Sequence, residues 1–256
     1  MAATLVNAGS TALVFTLAGD EGKGDKWAYT NGITASGPAT IVVAPAAVST
    51  YTVTGFDASQ IVGAVFSVVV TPLDAFGNTT TGTTVTLSAV GTDGESSVNG
   101  NLYTGTNSTP SGSTAAGAKT ITGVFYTYPE TIDIFATDGT HTSNIVDTTD
   151  VTVGRTTVIA SLIINTPTAP QSVKAGDNIG VGGMAYDAWG NTVAAGASVT
   201  ASTSNGTLSE TSLTTDESGS FSTTLTVNTT AGTQHVVTVT GSGSASSPVI
   251  TTIHAD

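Results

Sequence analysis

The chain contains no cysteine. Disulfides, thiolate nucleophiles and cysteine metal sites are thereby excluded. Basic residues are nearly absent: Lys and Arg number 5 against 18 Asp and Glu, for a formal charge of -13. Repulsion disfavours unaided binding to nucleic acid or to an anionic lipid surface. Divalent cations and basic partner surfaces are favoured instead. Charged residues of both signs make up only 9% of the chain, against ~25% in an average domain. The solvated surface must then be built from Thr, Ser, Asn and Gly, a composition associated with exported structural repeats. Aromatic residues, at 6%, are a thin supply for a sugar-stacking platform. No apolar run approaches the ~20 residues of a membrane helix. The start, Met1-Ala2-Ala3-Thr4-Leu5, lacks the basic and apolar regions of a signal peptide. It reads as the beginning of a mature or excised segment.

What is present points to β structure. Val, Ile and Thr dominate, and branching at Cβ suits them to a pleated surface. Gly, 30 of 256 residues, punctuates short apolar runs without a three-residue period. The chain divides into three units. Residues 1–47 form a short N-terminal β element or partial domain. They hold the strand candidate Thr11–Leu17, a charged glycine-rich loop around Asp20, and a strand at Ala39–Val43. Residues 48–155 and 156–256 each show about seven short strands bounded by turn residues, the signature of a β-sandwich. Between them these two units account for strands such as Lys119–Tyr126, Asn178–Tyr186 and Ser198–Thr203. Residues 91–118 read mainly as a long Gly-, Ser- and Asn-rich loop with at most one short strand, and a loop of that length suggests a contact site.

A short motif occurs twice, 113 positions apart: Asp74-Ala75-Phe76-Gly77-Asn78 and Asp187-Ala188-Trp189-Gly190-Asn191. The physical reading is a structural turn. The carboxylate accepts N–H groups of the following residues, Gly77 or Gly190 supplies a positive φ, and Asn78 or Asn191 adds a side-chain bond. Phe76 and Trp189 are expected to fold back over the open end of their own sandwich. Calcium at these turns is the alternative, disfavoured because each copy offers a single carboxylate.

The segments Tyr51–Phe56, Phe66–Asn78 and Val181–Asn191 resemble bacterial immunoglobulin-like repeats of the invasin and intimin type, found in adhesins and prokaryotic surface-layer proteins. The resemblance covers about residues 48–256. It implies tandem immunoglobulin-like β-sandwich domains, an extracellular or cell-surface location, and a role as spacer or lattice module. It brings no catalytic residues with it.

Reaction chemistry is sparse. His141, His235 and His254 lie far apart without metal-ligand spacing and are read as surface or edge residues. Asp93, Glu95, Asp133, Asp147, Asp150, Asp216 and Glu217 could supply acid pairs, but nothing in the sequence makes any two converge. The sole arginine, Arg155, is expected to pair with Asp147 or Asp150 or with the next domain. Calcium is the one cofactor worth naming. Its candidate ligands are Asp20, Glu21 and Asp25 in the first unit, and Asp147, Asp150 and Asp177 between the sandwiches. Asn-x-Ser/Thr sequons stand at Asn78, Asn107, Asn205 and Asn228. The strand carrying Leu13, Phe15 and Leu17 is apolar on both faces and must be covered. It is expected to pair along the sheet of residues 48–155 or into another subunit. The resulting expectation is a non-enzymatic building block of an extracellular array such as a surface layer, sheath or filament. Its partners would be copies of itself or other surface proteins. The alternatives are an adhesin or stalk fragment that meets a glycan or host protein, and a viral surface decoration.

Overall fold

The computed structural model describes residues 9–13, 39–92, 97–144, 150–168, 170–242 and 249–255. Strands β1 (Gly9–Leu13) and β2 (Ala39–Val43) form an antiparallel pair, with Gly9 opposite Val43 and Leu13 opposite Ala39. The first strand therefore pairs within its own unit in a separate two-stranded sheet, and not along the sheet of residues 48–155. It also ends at Leu13. Phe15, Leu17, Asp20, Glu21 and Asp25 lie outside the described residues.

The first sandwich holds β3 (Val48–Thr54), β4 (Ser59–Ile61), β5 (Phe66–Asp74), β6 (Thr84–Gly91), β7 (Leu102–Thr104), β8 (Ser111–Ser113), β9 (Lys119–Tyr126), β10 (Thr131–Thr137) and β11 (Val151–Gly154). The second holds β12 (Ser161–Thr166), β13 (Gln171–Val173), β14 (Asn178–Tyr186), β15 (Ser198–Thr203), β16 (Thr207–Leu208), β17 (Ser212–Thr214), β18 (Ser220–Thr226), β19 (Gln234–Gly241) and β20 (Val249–Ala255). One sheet of the first runs β3-β5-β9-β7 and the other β4-β11-β10-β6-β8. The second repeats this strand for strand, as β12-β14-β18-β16 facing β13-β20-β19-β15-β17. In each, the opening stretch starts in one sheet and crosses to pair in parallel with the last strand of the other, β4 with β11 and β13 with β20. These are tandem immunoglobulin-like sandwiches.

Period-two alternation builds the cores. In β5, Val68 and Val70 are fully buried while Val69 between them is partly exposed. They meet Val85, Leu87, Ile132 and Ile134 of the facing sheet. The second core gathers Val181, Ala185, Val199, Leu225, Val237 and Ile253 in the same way.

Two expectations are corrected here. The stretch 91–118 carries two short strands and not at most one: β7 joins the edge of one sheet through β9, and β8 joins the edge of the other through β6. Their runs of three residues are too short and too polar to show a pattern. His235 is not a surface residue but fully buried. It sits in β19 on the inward face, where its Nε2 accepts the Asn228 N–H at 3.0 Å.

Candidate functional site

The repeated motif builds a closed turn at the end of β5 and of β14. In the first copy, Asp74 Oδ1 accepts from the N–H groups of Phe76 and Asn78, both at 2.9 Å. Oδ2 accepts from Asn78 Nδ2 and from the Ala46 N–H, both at 3.0 Å. Gly77 has φ 82°, and its N–H returns to the Asp74 carbonyl. In the second, Asp187 Oδ1 accepts from Trp189 and Asn191 at 2.9 Å, Oδ2 from Asn191 Nδ2 at 2.9 Å, and Gly190 has φ 86°. Both carboxylates are buried, and each of their oxygens meets at least one N–H donor. Burial alone would raise the Asp74 carboxyl, but the bonds from Asn78, Ala46 and Phe76 outweigh it and bring its pKa down to about 2.

Two further turns use the same device and were missed in the sequence. Asp216 Oδ1 accepts from Ser218 and Ser220, and Gly219 has φ 81°. The Ser218 hydroxyl bond, first among these, lowers the carboxyl's pKa. The signal was present, since Asp216-Glu217-Ser218-Gly219 repeats the Asp-x-x-Gly spacing of the other two. Asp138 accepts from the N–H groups of His141 and Thr140 at 2.7 and 2.8 Å, and from the Tyr51 hydroxyl at 2.8 Å. The His141 N–H leads the set that lowers this carboxyl, and the imidazole stands 3.2 Å away. Tyr51 comes from β3, across the sandwich, so no local spacing could announce that contact.

The aromatic residues of the repeated motif do not cover their own sandwiches. Phe76 is 60% exposed. Trp189 leans onto the preceding sandwich, with its ring 6.0 Å from that of Phe125, which in turn lies 6.0 Å from Tyr103. The indole sits directly on Gly63, where an added Cβ would fall 2.0 Å from Cη2. Gly63 has φ 74° and donates its N–H to the Tyr126 carbonyl. Three polar bonds accompany this seat. Asn191 Nδ2 donates to the Thr127 carbonyl at 2.9 Å. Arg155 Nη1 donates to the Glu217 carbonyl at 2.7 Å. The Ala194 N–H meets the Thr156 carbonyl in the connecting segment. Arg155 thus reaches the second domain, through a backbone carbonyl and not a carboxylate. An apolar hollow of about 370 Å³ beside the indole is bordered by Ile61, Ala64, Val158 and Ala160.

Of the carboxylates expected between the domains, Asp177 stands away from the junction. Asp177 immediately precedes β14, whose other end carries Asp187 at the junction, so nine strand residues separate it from the contact, roughly 30 Å at the rise of an extended strand. Asp150 is exposed at the start of β11, and Asp147 is outside the described residues. Among the described residues no three acidic, histidine or cysteine side chains converge as a metal site.

A second hollow of about 290 Å³ opens on the other flank of the seat, between the loop before β7, the β9–β10 connection and the Asp187 turn. Its wall is held by Glu130. The N–H groups of Asn99 and Gly100 and the Tyr126 hydroxyl all bond to Glu130 Oε1, at 2.9, 2.9 and 2.6 Å. Burial pushes this carboxyl up, and the bonds from Tyr126, Gly100 and Asn99 bring it below its ordinary value.

No protein-family model and no curated protein matches the chain. Solved structures do. The chain is similar to bacterial immunoglobulin-like surface domains. The Escherichia coli adhesin FdeC matches over 85% of this chain and 69% of its own, at 20% identity and a TM-score of 0.45. The D0-D1 domain of intimin matches over 80% and 95%, at 18% identity and a TM-score of 0.29. The surface-layer protein rSbsC(31-844) matches over 86% and 30%, at 15% identity and a TM-score of 0.35. Likeness at this level concerns the type of domain and carries no function across. Among the described residues no helix is long and apolar enough to cross a membrane.

Proposed function

We propose that this chain is a structural module of an extracellular array, a surface layer, sheath or filament, in which two sandwiches locked end to end serve as one stiff unit. The observation that carries the reading is the junction. An indole seated on a glycine, a buried turn and two polar bonds, Asn191 to Thr127 and Arg155 to Glu217, join the domains where a flexible spacer would have a free linker. Phe76 occupies in the first sandwich the place that Trp189 holds in the second, and at 60% exposure it offers the same kind of wedge to another sandwich. The β1–β2 ladder supports the reading too. Neither of its outer edges is paired among the described residues, and an open edge can take a strand from another copy. Partners are then further copies of the chain. Calcium enters this reading through the acidic segments 20–25 and 147–150, as a bridge between copies.

The test is assembly of the purified chain with and without millimolar calcium, followed by electron microscopy and sedimentation. Ordered sheets or filaments support the array, and dependence on calcium supports the bridging role. A strictly monomeric chain under every condition overturns it. Deletion of residues 1–47 separates the contacts: lost assembly with both sandwiches still cooperatively folded assigns it to the first unit. The second reading, an adhesin or stalk fragment, is favoured by the hollow of amides and aromatic rings at the junction.

A further inference from the structure

We propose that the hollow between the Asn99–Asn101 loop and the Asp187 turn is a binding site for a neutral saccharide, assembled from both sandwiches. This goes beyond the array reading and does not depend on it. A sugar ring presents an apolar C–H face and a rim of hydroxyls that both donate and accept. Its site therefore needs exposed aromatic rings together with neutral groups of both kinds. Three of the chain's few aromatic rings line this one hollow: Tyr103, Tyr128 and Trp189. Tyr128 and Trp189 remain 39% and 41% exposed, so their rings have surface left to cover.

Amides and Thr127 form the rest of the described wall. Asn99, Asn101 and Asn107 come from the first sandwich and Asn191 from the second. Their orientation is set by neighbours. Asn99 Nδ2 donates to Glu130 Oε2 at 3.0 Å. Asn191 Nδ2 is taken by the Thr127 carbonyl and Asp187 Oδ2. Asn191 Nδ2 thus spends both its hydrogens and Asn99 Nδ2 one of its two, and the amide oxygens of both remain to accept from ligand hydroxyls. Asn101 and Asn107 are exposed and supply donors.

The wall is built before any ligand arrives. Glu130 clamps the Asn99–Gly100 backbone, and the Asn101 N–H is held by Thr127 Oγ1 at 2.9 Å. Asn107, at φ 62°, sits in the tight turn closed by the reciprocal Thr104 and Ser108 backbone bonds of 2.8 and 3.0 Å. Such preorganisation lowers the entropy lost on binding. Among the described residues the side chains that line the hollow are all neutral, which suits an uncharged occupant. Its volume of about 290 Å³ lies near the ~300 Å³ lower bound of small-molecule sites and suits a short saccharide unit.

The full chain carrying Trp27→Phe leaves Trp189 as the only indole. It is titrated with maltotriose, cellotriose, chitotriose and mannotriose, with sialyllactose as the anionic control, and read by fluorescence and calorimetry. A saturable change with at least one neutral trisaccharide, and none with sialyllactose, is expected. Tyr128→Ala and Asn107→Gly should each weaken binding by about tenfold or more while the melting temperature stays near that of the parent. The proposal is overturned if no neutral trisaccharide gives a saturable signal, if sialyllactose binds equally well, or if binding survives both substitutions.

Discussion

Gly63→Ala tests the junction most directly, because the repeat supplies its own control. Gly63 and Gly176 stand 113 positions apart, at the same place before β5 and β14, with φ 74° and 88°. An alanine at either must adopt the left-handed conformation, which costs ~1–2 kcal/mol. Beyond that the sites part. At Gly176 the new Cβ would find Thr229 Cγ2 at a comfortable 3.6 Å. At Gly63 it would fall 2.0 Å from Trp189 Cη2 and 2.4 Å from Cζ3, so the indole has to leave its seat. If roughly half of the ~150–250 Å² that an aromatic side chain buries faces the first sandwich, the loss at ~25 cal/mol per Å² is about 2–3 kcal/mol. The lost ring pair with Phe125 adds about 0.5–1 kcal/mol. Gly176→Ala should then cost ~1–2 kcal/mol and Gly63→Ala about 3.5–6 kcal/mol. Urea unfolding, followed by circular dichroism, measures both. The cycle is closed with Trp189→Ala. In that background Gly63→Ala should cost no more than Gly176→Ala, because the ring is gone and only the backbone term remains. A Gly63→Ala cost that is the same with and without Trp189 would refute the seat, and with it the locked junction.

Three further outcomes follow from the turns. Asp187→Ala removes the acceptor for three bonds and should destabilise the second sandwich by ~1–2 kcal/mol, equally in calcium and in chelator; a loss seen only with calcium would make the turn a metal site. Asp74 is the pH-sensitive copy. Its folded pKa, about 2, lies below the ordinary value of 3.8. Its contribution is complete above pH 4 and drains away as the pH falls towards 2, because there the unfolded chain takes up a proton that the folded carboxylate refuses. Acid titration of the melting temperature should show that decline, and Asp74→Asn should flatten it. Tyr51→Phe removes the hydroxyl that reaches Asp138 at 2.8 Å from a side chain only 1% exposed. It should cost about 1.5–3 kcal/mol, the range for a bond to a charged acceptor, and a change below the error of the melt would show the contact to be idle.

Features that repeat over short range were legible in the residues alone. Alternation with a period of two, in stretches such as Phe66–Asp74 and Asn178–Tyr186, specifies strands and their inward faces, since neighbouring side chains of a strand must point to opposite sides. Gly, Pro and Asp punctuation separates them, and the sandwich class follows from their number. The Asp74 and Asp187 turns are equally local, because apart from the Ala46 N–H on Asp74 their donors and acceptor lie within four residues of each other. Asp216 has the same spacing and could have been read the same way. Tertiary structure decided the rest. β7 and β8 are strands only because β9 and β6 offer them edges to pair with. His235 is interior only because β19 lies in the middle of its sheet, between β15 and β20. Trp189 could not be placed from its own turn, because its seat is made by Gly63 and Phe125, more than sixty residues earlier and in another domain. The hollow of amides and rings has the same origin: two surfaces, each polar and unremarkable in sequence, become a single cleft only when one domain docks on the other.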